Sequence, residues 1–149
     1  MSLLGIFFGG VYETVITGLR TVNMADSREG LRQQMAHAFD LLTREASLAN
    51  NVDTSTSSQV QFDADLNGDG TTENDILYQV SGTSLQRVYS SGPTLTLVTG
   101  LTTLTPFTYL DSSGNATNTA ANVRVIEVAL TGTRNAETVS LAGAACRRN

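Results

Sequence analysis

The clearest chemical pattern in the sequence is a run of acidic and amide side chains at alternate positions near its middle. A hard cation such as calcium prefers oxygen ligands, and an EF-hand type of loop places them at positions 1, 3, 5 and 7, with glycine at position 6. Position 12 of the loop, a bidentate Glu in an EF-hand, is Asn74 here, with an acidic residue on either side. The sequence therefore predicts a calcium loop with six candidate ligands, Asp63, Asp65, Asn67, Asp69, Glu73 and Asp75.

The same segment also fits a polar connection between two strands, one ending at Phe62 and the next beginning at Ile76. Asn67-Gly68 and Asp69-Gly70 are good turn formers, because Asn, Asp and Gly tolerate the positive φ angles of tight turns. No helical pattern flanks the segment, as it would in an EF-hand. At the level of sequence, calcium binding and a simple hairpin connection are both open.

His37 and Cys146 are the other residues with potentially reactive side chains. Catalysis by a histidine needs a nucleophile and an orienting acid nearby, and no such constellation is visible around His37. Cys146 is the only cysteine, so no internal disulfide forms and the fold depends on packing and sheet hydrogen bonds. We expect His37 on a helix face and Cys146 on a terminal strand, in a protein that is not an enzyme.

The charge of the chain argues against a nucleic-acid partner. The 149 residues carry a net charge of -5, from 14 acidic and 9 basic residues. All the basic residues are arginines, and they are scattered along the sequence. Binding to phosphates needs a basic face, so we predict no interaction with nucleic acid.

An apolar segment from Leu3 to Leu19 has the length of a short membrane-spanning helix. As a helix its roughly 17 residues would extend about 25 Å, against a bilayer core of about 30 Å. Glu13 lies near its middle, where a carboxylate costs on the order of 2–3 kcal/mol in a membrane. Further apolar residues upstream would move Glu13 to the membrane boundary, so we expect the true start to precede Met1. The alternative is that the chain begins here and buries this segment.

An amphipathic helical pattern follows the apolar segment. Apolar residues recur every three or four positions, while charged residues lie mostly on the other faces, so one stripe should pack on the rest of the protein. The Asn and Asp residues at 50–53 favour a turn, which should end the helix there. The predicted packing stripe is Leu31, Met35, Ala38, Phe39, Leu42 and Ala46.

Beyond residue 50 the sequence has a period of two, which is typical of β-strands. Apolar or aromatic runs alternate with Gly, Asn and Ser clusters, and this predicts an antiparallel meander. The predicted fold class is α+β, with a long N-terminal helix packed on an antiparallel β-sheet head. Residues 1–50 form the helix, with 1–20 as its membrane or filament part and 26–50 as its amphipathic part, and residues 51–149 form the head. The predicted strands are Gln59–Phe62, Ile76–Val80, Leu85–Tyr89, Leu95–Val98, Leu104–Leu110, Val123–Leu130 and Thr138–Leu141.

This order of elements resembles the type IV pilin-like proteins. The segment REGLRQQMAHAFDLLTREASLANNV, from Arg28 to Val52, is similar to the amphipathic second half of the helix in PilW-like and GspJ-like minor pilins. Later segments agree in order, among them FDADLNGDGTTENDILYQVSGTSLQR, LTTLTPFTYLDSSGN and VRVIEVALTGTRNAETVSL. The prepilin processing motif, a Gly before a segment with Phe first and Glu fifth, is absent from this sequence.

The resemblance implies a structural subunit, a minor pilin or pseudopilin, of a type IV pilus or type II secretion filament. Such a helix is held in the bacterial inner membrane with its head facing the periplasm. It then packs against the helices of other minor and major pilins or pseudopilins in an extracellular filament. A second class of protein is also open, namely a membrane-anchored exported β module that binds calcium and a surface or carbohydrate ligand.

Overall fold

The computed structural model describes residues 2–89 and 92–147, without the side chains of residues 2–15, 18 and 74. One long helix comes first, and strands make up most of the remaining described chain. A short 3-10 helix, Ala120–Asn122, precedes the last two strands. The elements are α1 (Ser2–Ser47), β1 (Ala49–Thr56), β2 (Gln59–Ala64), β3 (Glu73–Ser81), β4 (Ser84–Tyr89), β5 (Thr94–Thr99), β6 (Phe107–Leu110), β7 (Val125–Arg134) and β8 (Glu137–Cys146).

The predicted α+β fold class is wrong, because the described chain is mostly β and has two sheets where one was predicted. The first sheet has five strands in the order β1-β2-β3-β4-β5, and the second has three in the order β6-β7-β8. Every pairing is antiparallel and follows the order of the sequence. The meander connectivity is therefore confirmed within each sheet, while the division into two sheets was not foreseen.

The chain leaves the first sheet at Gly100. This glycine has a φ of +82°, and a Cβ there would lie 2.9 Å from the carbonyl oxygen of Thr133, so the close approach favours a residue without a side chain. Leu101 then forms an isolated bridge with Gly132 of β7. The first sheet ends here because β6, the next strand along the chain, pairs with β7 and not with β5.

The amphipathic half of α1 packs on both sheets through the predicted stripe. Of its six residues, five are between 0% and 1% exposed, and Phe39 is partly buried. Burial of apolar surface stabilises by about 25 cal/mol per Å², so this stripe is a major part of the core. The stripe contacts both sheets, because Leu31 lies against Gly132 of β7, Phe39 lies over Gly143 of β8, and α1 also contacts β5.

The helix ends at Ser47, earlier than predicted, and residues 50–53 lie in β1 instead of a turn. Ala49 and Val52 of this strand are buried in the core. Pairing with β2 and burial of these two side chains outweigh the local turn preference of Asn50, Asn51 and Asp53 beside them.

The predicted membrane-length segment lies largely outside the described side chains. Glu13 is among the residues whose side chains are not described, and of the segment only Ile16, Thr17 and Leu19 are. In the part of the chain that the structure describes, no helix has the length and apolar character needed to cross a membrane.

Candidate functional site

The predicted calcium loop is the connection between β2 and β3. Several of its side-chain oxygens accept hydrogen bonds from backbone N–H groups of the same loop. Asp65 accepts hydrogen bonds from the N–H groups of Gly68 and Gly70, at 2.7 and 3.0 Å. Asp69 accepts one from the Thr71 N–H at 2.7 Å, and the hydrogen bonds to its carboxylate lower its pKa. These are side-chain turns that stabilise a hairpin connection.

Asn67 and Glu73 hold the same connection. The Asn67 side-chain oxygen accepts the N–H of Asp69 at 3.0 Å, and a Glu73 carboxylate oxygen accepts the N–H of Leu66 at 2.7 Å. Four of the six predicted ligands thus have structural partners within the loop. The segment is a polar connection between the paired strands β2 and β3, and calcium binding by its side chains stays a prediction.

Three aspartates from neighbouring strands converge beside this loop. Asp53 of β1, Asp63 of β2 and Asp75 of β3 each place a carboxylate oxygen within 4.8 Å of the others. Burial, followed by the negative charges of Asp63 and Asp75, raises the pKa of Asp53. A divalent cation would relieve this repulsion, and a set made only of carboxylates suits calcium or magnesium.

Irregular pairing of the strands brings the three aspartates together. Asp53 is an extra residue in β1, between the pairs Val52 with Phe62 and Thr54 with Gln61. The β2 and β3 register also shifts beyond Phe62. A β-bulge of this kind redirects a side chain that would otherwise alternate with its neighbours. Two hydrogen bonds then fix Asp75: its N–H donates to Asp63 at 2.9 Å, and Gln61 donates to its carboxylate at 2.6 Å.

Sequence reasoning found two members of this group and missed the third. Asp63 and Asp75 were candidate ligands, whereas Asp53 lies in the segment that was predicted to be a turn. Asp53 lies close to the other two aspartates because of the register of β1 against β2. That register cannot be predicted from the residues around Asp53. Among the described residues, Asp65, Asp69 and Glu73 belong to no such group of acidic side chains.

A buried charge pair joins α1 to the five-stranded sheet. Glu45, which is 4% exposed, accepts a hydrogen bond from the Tyr78 hydroxyl at 2.6 Å and two from Arg87, each at 2.9 Å. Burial and the adjacent Glu45 carboxylate raise the pKa of Tyr78. The two-pronged contact with Arg87 fixes both position and orientation, so this group locks the helix onto β3 and β4.

His37 and Cys146 have the surroundings expected of surface residues. His37 is exposed on the docked half of α1. Cys146 is an exposed free thiol at the end of β8, which confirms its predicted place on a terminal strand.

The described part of α1 before Leu31 contacts the head only at its margin, where Ser27 accepts a hydrogen bond from the Asn135 side chain at 2.7 Å. Of the described side chains between residues 16 and 30, none is buried, and burial begins at Leu31. Leu19 and Val22 are 60% and 58% exposed. Since successive helical residues are about 100° apart, Val22 lies on the side of α1 opposite Leu31. The helix therefore offers an apolar surface that faces away from its own head.

Comparisons of this chain with protein-family models, with curated proteins and with solved structures give no match.

Proposed function

We propose that this chain is a structural subunit, a minor pilin or type II secretion pseudopilin, that assembles through the N-terminal half of α1. The observation that carries the proposal is the division of α1 into two halves. From Leu31 onward one face of α1 is buried on the head, while among the described side chains before Leu31 the exposed Leu19 and Val22 lie on the opposite side. An apolar helix surface in that position suits packing against the helices of other subunits.

The contacts of the docked half support the proposal that one part of α1 holds the head and the other binds partners. The packing stripe and the Glu45, Tyr78 and Arg87 group hold α1 in one orientation on the head. α1 is one uninterrupted helix from Ser2 to Ser47, so the docked part sets the direction of the part before Leu31. In the proposed filament, partners would bind that earlier part while the head faces outward.

The proposed partners are other minor and major pilins or pseudopilins. Before assembly the subunit would lie in the bacterial inner membrane with its head in the periplasm, and afterwards in an extracellular filament. Exposed apolar surface is stabilised by burial in either environment at about 25 cal/mol per Å², so transfer from membrane to filament needs no covalent step.

A matched pair of charge substitutions on α1 tests the filament proposal. Val22→Asp places a charge on the free half, and His37→Asp places one at an exposed position of the docked half. Each tagged variant is expressed in the native host, and both the sheared filament fraction and the co-purified subunits are quantified. Val22→Asp should lower both by about tenfold or more, while His37→Asp should leave them near the wild-type level. Wild-type recovery of Val22→Asp would contradict the proposal.

The acidic group of Asp53, Asp63 and Asp75 favours a second candidate function, an exported β module that binds calcium and, through it, a surface or carbohydrate ligand. Calcium at millimolar concentration should raise the melting temperature of the wild-type protein, because a ligand that binds only the folded state stabilises it. Asp53→Asn should abolish that effect, and the matched control Asp65→Asn should preserve it. No calcium-dependent shift in the wild-type protein would exclude this function. Loss of the effect in Asp65→Asn alone would place the ion in the loop predicted from the sequence.

A further inference from the structure

The free edge of β8 is long, regular and unprotected. All ten residues of the strand pair with β7 without a register shift. β8 contains no Pro and no Lys, which are residues that commonly protect such edges. Among the described residues, no backbone hydrogen bond reaches the strand from any element other than β7 and its flanking residues.

The other sheet edges of the described chain are blunted. β1 and β5 both pair through register shifts, and β6 has only four residues. Bulges and short strands are the usual means of preventing unwanted pairing at an edge. The contrast singles out β8 as the edge that is available to accept another strand.

The direction of the hydrogen bonds identifies the backbone groups that β8 offers. The N–H of Arg147 donates to the carbonyl of Arg124 at 2.9 Å, toward the β7 side. Backbone groups alternate in direction along an antiparallel strand, so odd-numbered residues of β8 face β7 and even-numbered ones face the free edge. The available N–H and C=O groups are therefore those of the even-numbered residues of β8, namely Thr138, Ser140, Ala142, Ala144 and Cys146.

A groove between α1 and this edge gives an added strand a place to lie. It has a volume of about 270 Å³ and is lined by Arg28, Arg32 and Met35 of α1 and by the consecutive residues 138–141 of β8. The side chains of consecutive strand residues point to opposite faces of a sheet. A depression lined by four consecutive residues of β8 therefore lies along the edge of the strand, where both faces are reached. A second depression of about 510 Å³ shares Arg28 and Arg32 with this groove and is also lined by the carboxylates Glu29 and Glu137, so the groove beside residues 138–141 is the more basic of the two.

The charge of the groove indicates the chemistry of its occupant. Arg28 and Arg32 are exposed and one helical turn apart, and the one ion pair among the described side chains is between Arg87 and Glu45. Guanidinium groups bind carboxylates with two parallel hydrogen bonds. In an added strand every second side chain would face α1, so carboxylates at alternate positions would meet these arginines.

We propose that the groove between α1 and β8 binds an extended acidic segment of a partner protein, which adds to the three-stranded sheet as a fourth strand beside β8. Main-chain hydrogen bonds to the even-numbered residues would supply affinity, and Arg28 and Arg32 would supply the preference for acidic side chains. This surface is separate from Leu19 and Val22. Its function goes beyond the proposed filament role and does not require it.

The probe is a fluorescein-labelled ten-residue peptide that alternates Thr and Asp, compared with its matched counterpart that alternates Thr and Lys. With the full-length protein, fluorescence anisotropy should show about tenfold or greater preference for the acidic peptide. Hydrogen exchange should slow at the amides of Ser140 and Ala142 when that peptide is bound. Arg28→Gln with Arg32→Gln should weaken binding about tenfold, and the exposed control Arg44→Gln should leave it unchanged.

A proline variant tests the backbone component separately. Ala142→Pro removes an N–H that faces the free edge and leaves the hydrogen bonds to β7 in place, as edge strands allow. It should abolish peptide binding while circular dichroism and thermal unfolding remain near wild type; if it fails to fold, the arginine variants and the exchange data decide. Equal affinity for the two peptides, or unchanged exchange at Ser140 and Ala142, would overturn the proposal. Self-association of the chain through β8 would also overturn it, because the occupant would then be a second copy.

Discussion

Glu45 connects α1 to the five-stranded sheet through a carboxylate that is almost fully buried. Its partners, Tyr78 and Arg87, lie on β3 and β4, 33 and 42 residues further along the chain. Taking two charges out of water costs free energy that their attraction offsets only when the geometry is good. We therefore interpret the group chiefly as a device that selects one orientation of the helix.

A double-substitution cycle tests this interpretation of Glu45 and Arg87. Arg87→Met should lower the free energy of unfolding by about 3 kcal/mol, because it leaves a buried carboxylate without its counter-charge. Adding Glu45→Leu to that variant should restore most of the loss, since no buried charge remains. Urea denaturation measures both. A double variant no more stable than Arg87→Met would contradict the interpretation.

Two buried tyrosines should make the protein sensitive to alkali. Burial raises the pKa of Tyr78 and of Tyr109, whose hydroxyl group lies 2.8 Å from the carbonyl oxygens of both Thr56 and Gln59. A tyrosine in the unfolded chain ionises near pH 10. Above that pH the folded state retains protons that the unfolded state loses, so the free energy of unfolding falls as the pH rises. The slope approaches about 1.4 kcal/mol per pH unit for each tyrosine.

Tyr109→Phe isolates one of these two contributions. Unfolding of the variant in urea, followed from about pH 9 to about pH 11, should show roughly half the wild-type loss of stability with pH. An unchanged slope would mean that Tyr109 ionises in the folded protein as easily as in the unfolded chain.

At the scale of elements, Phe39 and Gly143 set the distance between α1 and β8. A Cβ on Gly143 would overlap the ring of Phe39. Gly143→Ala should therefore lower the free energy of unfolding by about 1–3 kcal/mol, the usual cost of overpacking. Adding Phe39→Leu should recover part of that loss, because the smaller side chain removes the overlap. Thermal unfolding provides the measurement, and a Gly143→Ala variant as stable as wild type would show that β8 moves freely away from the helix.

The two halves of α1 should respond differently to truncation. Leu42→Ala removes a fully buried side chain and should cost about 2–5 kcal/mol of folding stability. Val22→Ala alters an exposed residue and should change the free energy of unfolding of the isolated protein by less than about 0.5 kcal/mol. Equal losses at the two positions in urea denaturation would show that the free half is packed on the head.

The elements that local patterns describe were predictable, and the contacts between distant strands were not. The packing stripe of α1 could be predicted because the helical period is visible in residues three and four positions apart. Strands β2 to β5 each contain the apolar segment that was predicted to form a strand. β1 was missed because its Asn, Asp and Thr residues carry a turn signal that only pairing with β2 overrides. The division into two sheets depends on Leu101 meeting Gly132, and the acidic group depends on a bulge at Asp53. Neither can be read from nearby residues.

At the scale of the whole molecule, the described surface separates three features by location. The free half of α1 exposes apolar side chains, the groove beside β8 presents two arginines and a strand edge, and the acidic group lies at the junction of β1, β2 and β3. In a chain of net charge -5, Arg28 and Arg32 are the charged side chains among the residues that line this groove. The proposed assembly surface on the helix and the proposed recognition surface on the head are therefore separate.

Site-specific photo-crosslinking in the native host tests the central claim, assembly through the free half of α1, most directly. A photo-reactive amino acid is placed at position 22 in one strain and at position 37 in another. Position 22 should yield adducts with the helices of pilin-like partner proteins, identified by mass spectrometry, and position 37 should yield few or none. Adducts of position 22 with the protein's own head alone, or the same partners at both positions, would contradict it.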